Sequence, residues 1–273
     1  MALVSMTKNS KPSIQLHYAS LKLLNDKGFR AQVYAWLSSV EQERYQRFAC
    51  AQQADQFLLA RALLRCQLSK YIPDVSPAEW VFVIEESGKP RLADNFSHLN
   101  IQFNLSHSEG LVVVAFSDGL NLGEGLGVDI ENIHRPVFNM ALAKRYFAGD
   151  ELTALMQLDE EQKIERIVQL WTLKESLLKA CGLGVRVPLA KIGLFFNGGA
   201  YLDLRLSPDL AMPLFSEEGW LISLFTLGPD YCLALTIRAV DCSCIPEVSC
   251  HEWAGISDRV LALPCELQRK NYE

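Results

Sequence analysis

Apolar positions recur along the chain with two different periods. Over residues 40–71 they follow helical spacing. Phe57, Leu58, Arg61, Leu64, Arg65 and Leu68 fall on successive turns, a break is expected near Ala51, and Ile72-Pro73 ends the run. Residues 80–84 read as a strand, followed by a turn at Ser87-Gly88. Residues 101–105 alternate and residues 111–116 are β-rich, so the polar stretch Ser106-His107-Ser108-Glu109-Gly110 between them predicts the turn of a hairpin. The glycine-rich stretch 119–125 predicts a flexible join. Beyond it come a strand over 126–130, a helix over 140–147 and a long helix over 164–181, closed by Gly182 and Gly184 with Pro188 beyond. Residues 192–196, 220–227 and 232–240 read as strands. The two halves share this alternation without a detectable sequence repeat. The pattern predicts an α+β fold (α/β lobes): an N-terminal lobe over 1–120, a C-terminal lobe over 121–240 and a C-terminal extension of unknown role over 241–273.

Composition narrows the class. The chain has 273 residues, 49% hydrophobic and 21% charged. That excludes a coiled-coil, collagen-like or wholly disordered chain. The longest mid-chain apolar run, 111–116, is far below the ~20 residues a membrane helix needs. No apolar core marks a leader at the N-terminus, so a cytoplasmic protein without a membrane partner is expected. The net charge of −6 sits in residues 201–273, which hold 5 basic and 11 acidic residues. No large basic excess appears anywhere, which argues against a nucleic-acid partner. Cys50, Cys66, Cys181 and Cys232 stand singly in apolar sequence and read as buried hydrophobes. Cys242, Cys244, Cys250, His251 and Cys265 lack the paired spacing of a zinc site.

Three constellations carry chemistry. In Gly127-Val128-Asp129-Ile130-Glu131, strand alternation puts both carboxylates on one face and the two aliphatic residues on the other. Paired carboxylates repel unless a cation lies between them, and oxygen ligands suit Mg²⁺ with a phosphate completing its shell. The plain alternative for the same residues is an exposed strand end. In Trp171-Thr172-Leu173-Lys174-Glu175-Ser176-Leu177-Leu178-Lys179, Glu175 and Lys179 are one helical turn apart, with Trp171 one turn before. The plain alternative is a solvent ion pair. Asn104-Leu105-Ser106-His107-Ser108 forms a donor-rich turn able to hold a phosphate, beside the basic Lys89-Pro90-Arg91. These residues alone leave open a Mg²⁺-dependent phosphohydrolase or nuclease, and a non-catalytic binding module.

Taken in order, Gly-Lys-Pro, Asn-x-Ser-His-Ser, Gly-Val-Asp-x-Glu and Trp-x-x-Lys-Glu-x-x-x-Lys resemble the 4′-phosphopantetheinyl transferases of the Sfp-like class. The likeness runs from about Arg44 to Leu189. It implies two pseudo-symmetric lobes with the active site between them, where coenzyme A binds as co-substrate. It implies transfer of 4′-phosphopantetheine to a serine of an apo acyl or peptidyl carrier protein, with release of 3′,5′-ADP, by a monomer. Asp129, Glu131 and Glu175 would hold Mg²⁺. Glu175 would be the general base, with Glu131 second, and Lys179 would pair with the phosphates. Ser106, His107 and Lys174 would also meet phosphate, Lys89 and Pro90 would lie beside the nucleotide, and Arg44 would hold the 3′-phosphate. Where the family often has a basic residue before its first Phe-Leu, this chain has Gln56, leaving Arg61 and Arg65 as candidates to compensate. Carrier docking is expected on Arg135, Lys144 and Arg145 with Phe138, Met140 and Leu142.

Overall fold

A computed structural model describes residues 13–86, 88–117, 125–182, 187–197, 201–208, 210, 219–238, 247–255 and 265–270. The expected join over 119–125 lies outside the described residues except for Gly125.

Two copies of one topology are placed back to back. In the first, strand β1 (Ser13–Ser20) leads through helices α1 (Lys27–Ala35) and α2 (Ser39–Gln46) to the long helix α3 (Ala51–Tyr71). The short hairpin β2 (Phe82–Ile84) and β3 (Pro90–Leu92) follows, and then the hairpin β4 (Gln102–Ser108) and β5 (Leu111–Ser117). In the second, β6 (Leu126–Asn132) leads through α4 (Met140–Tyr146) and α5 (Gly149–Leu155) to the long helix α6 (Glu160–Cys181). A hairpin of β7 (Ile192–Asn197) and β8 (Tyr201–Leu206) comes next, then β9 (Trp220–Leu227) and β10 (Tyr231–Arg238). The sheets correspond strand for strand: β1-β5-β4 in one lobe and β6-β10-β9 in the other. The lobes are therefore pseudo-symmetric in topology although their sequences show no repeat, and the α+β expectation holds.

The strands β5, β6, β9 and β10 bury both faces, which explains why their sequences are rich in apolar residues. Val112, Val114 and Phe116 pack on Leu59, Leu63 and other residues of α3. Ile222, Leu224 and Ala234 pack on Leu170, Leu173 and Leu177 of α6. The opposite faces of the two sheets meet each other, with Leu16, Val113, Val128, Ile130 and Leu235 in the shared layer. The layers run helix, sheet, sheet, helix.

The expected break near Ala51 is real: α2 and α3 are separate, and a side-chain capping box between Ser38 and Glu41 starts α2. The polar hairpin turn is a correction. Ser106, His107 and Ser108 belong to β4, and the turn is only Glu109-Gly110, with Gly110 at φ 85°. A two-residue turn needs a residue that tolerates positive φ, and Gly110 supplies it.

The segment expected as an extension is woven into both lobes. Strand β11 (Glu247–Glu252) pairs in parallel with β1, and β12 (Cys265–Lys270) pairs antiparallel with β9. The full orders are β11-β1-β5-β4 and β6-β10-β9-β12-β8-β7. Among the described residues no helix is long and apolar enough to cross a membrane.

The edge strands β4 and β6 face one another, and side chains join them. Asn104 Oδ1 accepts from Val128 N at 2.9 Å, Ser106 Oγ from Ile130 N at 3.4 Å and Ser108 Oγ from Asn132 N at 2.9 Å. Removing such an acceptor leaves a buried amide unpaired, at about 1–3 kcal/mol. We expect Asn104→Ala to lower urea-unfolding stability by that amount and to speed hydrogen exchange at the Val128 amide, with amides of β9 unaffected. Unchanged exchange at Val128 contradicts the ladder.

Candidate active site

Gly127, Asp129 and Glu131 share one face of β6, with Gly125 in step just before the strand, and that face meets α6. A Cβ on Gly127 would lie 2.0 Å from Ser176 O and 2.4 Å from Ala180 N; one on Gly125 would lie 2.4 Å from Ala180 O. The glycines let the helix touch the strand backbone. The next two positions on the same face then bring their carboxylates beside the α6 residues Glu175 and Lys179. This is the physical content of the Gly-x-Asp-x-Glu spacing. Val128 and Ile130 face the core, as alternation predicts, and both are fully buried. Asp129 and Glu131 are buried as well, at 5% and 8% exposure.

The serines of β4 act twice. Ser106 Oγ donates to Asp129 Oδ1 at 2.7 Å, and Ser108 Oγ donates to Glu131 Oε2 at 2.9 Å. Lys179 Nζ donates to Asp129 Oδ1 (2.7 Å), Ser106 Oγ (2.8 Å) and Val128 O (3.1 Å). Arg135 Nη1 donates to Glu131 Oε2 at 2.5 Å. Sequence reasoning used Arg135 only for docking; its place four residues after Glu131 was the signal available.

Negative charge is concentrated here. Glu175 accepts no hydrogen bond among the described residues, and its pKa is pushed up to about 6 by desolvation, by Asp129 and by Glu131, against the opposing pull of Lys179. Burial, followed by Asp129, raises Glu131 despite Arg135 and Ser108. Asp129 Oδ2 is buried without a partner. An orphaned carboxylate oxygen beside two acids held reluctantly ionised is the arrangement a cation relieves. Among the described residues no three His, Cys, Asp or Glu side chains close into a ready-made metal cage. The donor set therefore suits a hard ion that keeps waters and takes further oxygens from phosphate, as Mg²⁺ does.

A cleft of about 210 Å³ opens beside these groups, between Lys89, Pro90 and Asn104 of one lobe and Leu178, Lys179 and Gly182 of the other. Lys89 Nζ spans the lobes, donating to Leu126 O at 3.2 Å and Lys179 O at 3.3 Å, and burial lowers its pKa. His107 lies on the opposite face of β4 from the serines and is exposed. Partial desolvation, then the Lys179 ammonium, holds its pKa below the usual imidazole range.

Arg44 does not line this cleft; it sits exposed on α2 over the Phe57 ring, 5.2 Å from the centroid. Arg65 is structural. It is 1% exposed, donates to Pro77 O and Trp80 O, and is paired with Glu41. Arg61 also pairs with Glu41, at 3.3 Å, and burial lowers its pKa to about 10.

Lys174 is the clear correction among the expected phosphate partners. It is fully buried and donates to Glu151 Oε2 (2.6 Å), Leu189 O (3.0 Å) and Ile192 O (2.6 Å). The helical step of about 100° between Lys174 and Glu175 turns the lysine off the cleft face and into the core. Glu151 in turn accepts from Ala148 N and Leu194 N, so the pair ties α6 to α5 and β7.

The fold and the site together define a two-lobed α+β enzyme whose inter-lobe cleft pairs lysines with acids suited to a cation and a phosphate chain. A model of the 4′-phosphopantetheinyl transferase superfamily matches residues 125–235, and one of the N-terminal region of 4′-phosphopantetheinyl transferase matches residues 27–118. The 4′-phosphopantetheinyl transferase HetI of Nostoc sp. is 35% identical over 72% of this chain and 75% of its own. A putative 4′-phosphopantetheinyl transferase of Synechocystis sp. is 29% identical over 80% and 88%. The 4′-phosphopantetheinyl transferase Sfp of Bacillus subtilis is 27% identical over 74% and 82%. A holo-[acyl-carrier-protein] synthase structure from Neisseria meningitidis overlaps 42% of this chain and 97% of its own, with a TM-score of 0.36 and 23% identity. The chain belongs to the 4′-phosphopantetheinyl transferase superfamily. It is an enzyme that transfers 4′-phosphopantetheine from coenzyme A to a carrier protein.

Breaking a buried pair strands its partner's charge, at about 3–5 kcal/mol. Lys174→Met is expected to lower stability by that amount while the folded fraction binds coenzyme A with unchanged Kd. A coenzyme A Kd raised in proportion to phosphate loss would restore Lys174 to the cleft.

Proposed function

We propose that Asp129, Glu131 and Glu175 hold Mg²⁺ against the coenzyme A pyrophosphate, and that Glu175 is the base for the incoming serine. The observation that carries this reading is the electrostatic strain among the three carboxylates, one with an orphaned oxygen, beside Lys179, which bonds Asp129 and also lines the cleft. The cation, when bound, offsets charge on the pyrophosphate and the departing 3′,5′-ADP. Lys179 binds phosphate from the other side; its ammonium already neutralises Asp129 and is held by Ser106. His107, exposed beside Lys179, and Lys89 with Pro90 line the approach of the nucleotide. Arg44, near Arg61 on the Phe57 ring, takes the 3′-phosphate at the outer end of the N-terminal lobe.

The serine Oγ attacks the β-phosphorus, the bond from that phosphorus to the bridging oxygen breaks, and 3′,5′-ADP leaves with that oxygen. Glu175 takes the hydroxyl proton. Without the cation its pKa of about 6 leaves it ionised at neutral pH and so able to accept a proton.

The carrier approaches along a groove of about 640 Å³ beside Glu131, walled by Arg135, Val137, Leu142, Arg145 and Trp171. Val137 is 44% exposed, whereas Phe138, expected on this surface, is 3% exposed and belongs to the core. An acidic acyl or peptidyl carrier would meet Arg135 and Arg145 there. Both lobes of the cleft come from one chain, which supports our reading of a monomeric enzyme; we place it in the cytoplasm.

Incubation with coenzyme A, Mg²⁺ and an apo carrier is expected to add ~340 Da to the carrier. Glu175→Gln is expected to keep coenzyme A binding and lower kcat by about 10²–10⁴-fold, the usual contribution of a general base. Full activity of that variant refutes the assignment.

Removing protons from Glu175 is opposed by its surroundings, so its stabilising contribution is present when protonated and is lost as pH rises through about 6. Carbon-13 carboxyl titration of the metal-free enzyme should show a glutamate with that midpoint. Mg²⁺ should lower it, because a cation favours the ionised form, and Lys179→Met should raise it. A midpoint indifferent to Mg²⁺ rules out Glu175 as a ligand.

A further inference from the structure

One cation, Arg135, stands between the acids of the candidate site and the groove that opens beside them. It lies in the connection from β6 to α4, where a turn fixes its backbone. Arg135 N donates to Asn132 O at 3.3 Å, and Phe138 N donates to Arg135 O at 3.2 Å. Its neighbour His134 is exposed and meets Asp230 at 3.1 Å. Arg135 instead reaches Glu131: Nη1 donates to Glu131 Oε2 at 2.5 Å, while Nε lies 3.9 Å from Glu109 Oε1. The guanidinium rests over the Phe138 ring, 5.6 Å from its centroid. Its side chain is still 34% exposed, and it lines the groove of about 640 Å³ together with Glu131.

The charges at this point balance narrowly. Asp129, Glu131 and Glu175 act on one another. Among the described residues two cations are bonded to these acids: Lys179 to Asp129, and Arg135 to Glu131. Three acids against two cations leave one net negative charge to attract a divalent ion. Lys179 is committed to Asp129, Ser106 and the Val128 carbonyl. Arg135 is therefore the counter-ion that a ligand in the groove can reach. Arg145 lines the same groove but stacks over Tyr146, 5.2 Å from the ring centroid, and forms no ion pair with these acids among the described residues.

We propose that Arg135 couples carrier docking to cation binding: an acidic carrier seated in the groove draws the guanidinium off Glu131 and so tightens the cation. The inference rests on the reading of Glu131 as a ligand of that cation. Electrostatics fixes its sign. Beside Glu131, the Arg135 charge repels an incoming cation and competes for the same carboxylate. A carboxylate of the carrier that pairs with Arg135 relieves both effects. Linkage makes the coupling reciprocal, so a cation on Glu131 loosens the hold on Arg135 and tightens the carrier by the same factor.

The probe is the apo carrier that the enzyme loads most efficiently, with its acceptor serine replaced by alanine so that nothing is transferred. Its Kd for the full chain with coenzyme A is read by fluorescence anisotropy, with and without Mg²⁺. Mn²⁺ affinity of the coenzyme A complex is read separately by electron paramagnetic resonance. Mg²⁺ should tighten the carrier about tenfold, and Arg135→Met should shrink that effect to about twofold or less. Without carrier, Arg135→Met should itself tighten Mn²⁺, because a competing charge is gone. Loss of a residue that only oriented Glu131 would weaken Mn²⁺ instead. Arg145→Met should weaken the carrier equally with and without Mg²⁺. Carrier affinity indifferent to Mg²⁺, coupling undiminished in Arg135→Met, or weaker Mn²⁺ binding in that variant would each overturn the proposal. Glu131→Gln shows which reading has failed. Unchanged Mn²⁺ affinity in that variant brings down the ligand assignment and this proposal with it. Weakened Mn²⁺ binding there, with coupling undiminished in Arg135→Met, brings down this proposal alone.

Discussion

The structure depends on how two sheet edges meet. An edge strand presents unpaired amides that must be covered or exposed to water. Here β4 covers β6 with side chains instead of backbone: Asn104, Ser106 and Ser108 accept from alternate amides of β6. A backbone ladder would have fused the lobes into one continuous sheet and closed the seam. Side-chain acceptors hold the strands together and leave hydroxyl protons free to be given elsewhere. Ser106 and Ser108 give theirs to Asp129 and Glu131. The contact that joins the lobes is thus the same contact that orients two acids of the candidate active site.

The third acid comes from the helix, and its placement follows from the missing side chains of Gly125 and Gly127. With α6 seated directly on β6, Glu175 and Lys179 reach the strand's carboxylates, and the low local polarity strengthens every charge interaction there. Lys179 and Arg135 each neutralise one acid, and Glu175 is left without a bond among the described residues. The site therefore carries an excess of negative charge in the absence of ligands, which is consistent with the proposed cation. Lys174 shows how narrow the geometry is: one residue earlier on the same helix, an equal charge serves only to fasten α5 and β7.

Much of this was legible in the sequence, for identifiable reasons. The long helices carried uninterrupted periodicity and ended at Ile72-Pro73 or Gly182, so both were recoverable. Asp129, Glu131, Glu175 and Lys179 were legible because strand period and helical turn each fix a shared face. Ser106 and Ser108 read as part of a turn because polar residues between two apolar runs look like one. Their polarity instead reflects an edge that must bond another strand across a lobe boundary, which no local pattern shows. Arg61 and Arg65 sit at helical spacing, but only tertiary packing tells that Glu41 neutralises them. β1 alternates as Ile14, Leu16 and Tyr18, yet its partner β11 lies more than two hundred residues away, and that pairing leaves no periodic trace.

The return of the chain from the second lobe to β1 completes the same argument about edges. The N-terminal sheet has two of them. One is covered by the other lobe at side-chain distance, and the other by β11 at backbone distance. Because β11 follows β10 in the chain, the second lobe is anchored to the first at both edges of that sheet, across its whole width. The seam at β4 is then held in register from two sides, a constraint that carboxylates two residues apart require if each is to find its own serine.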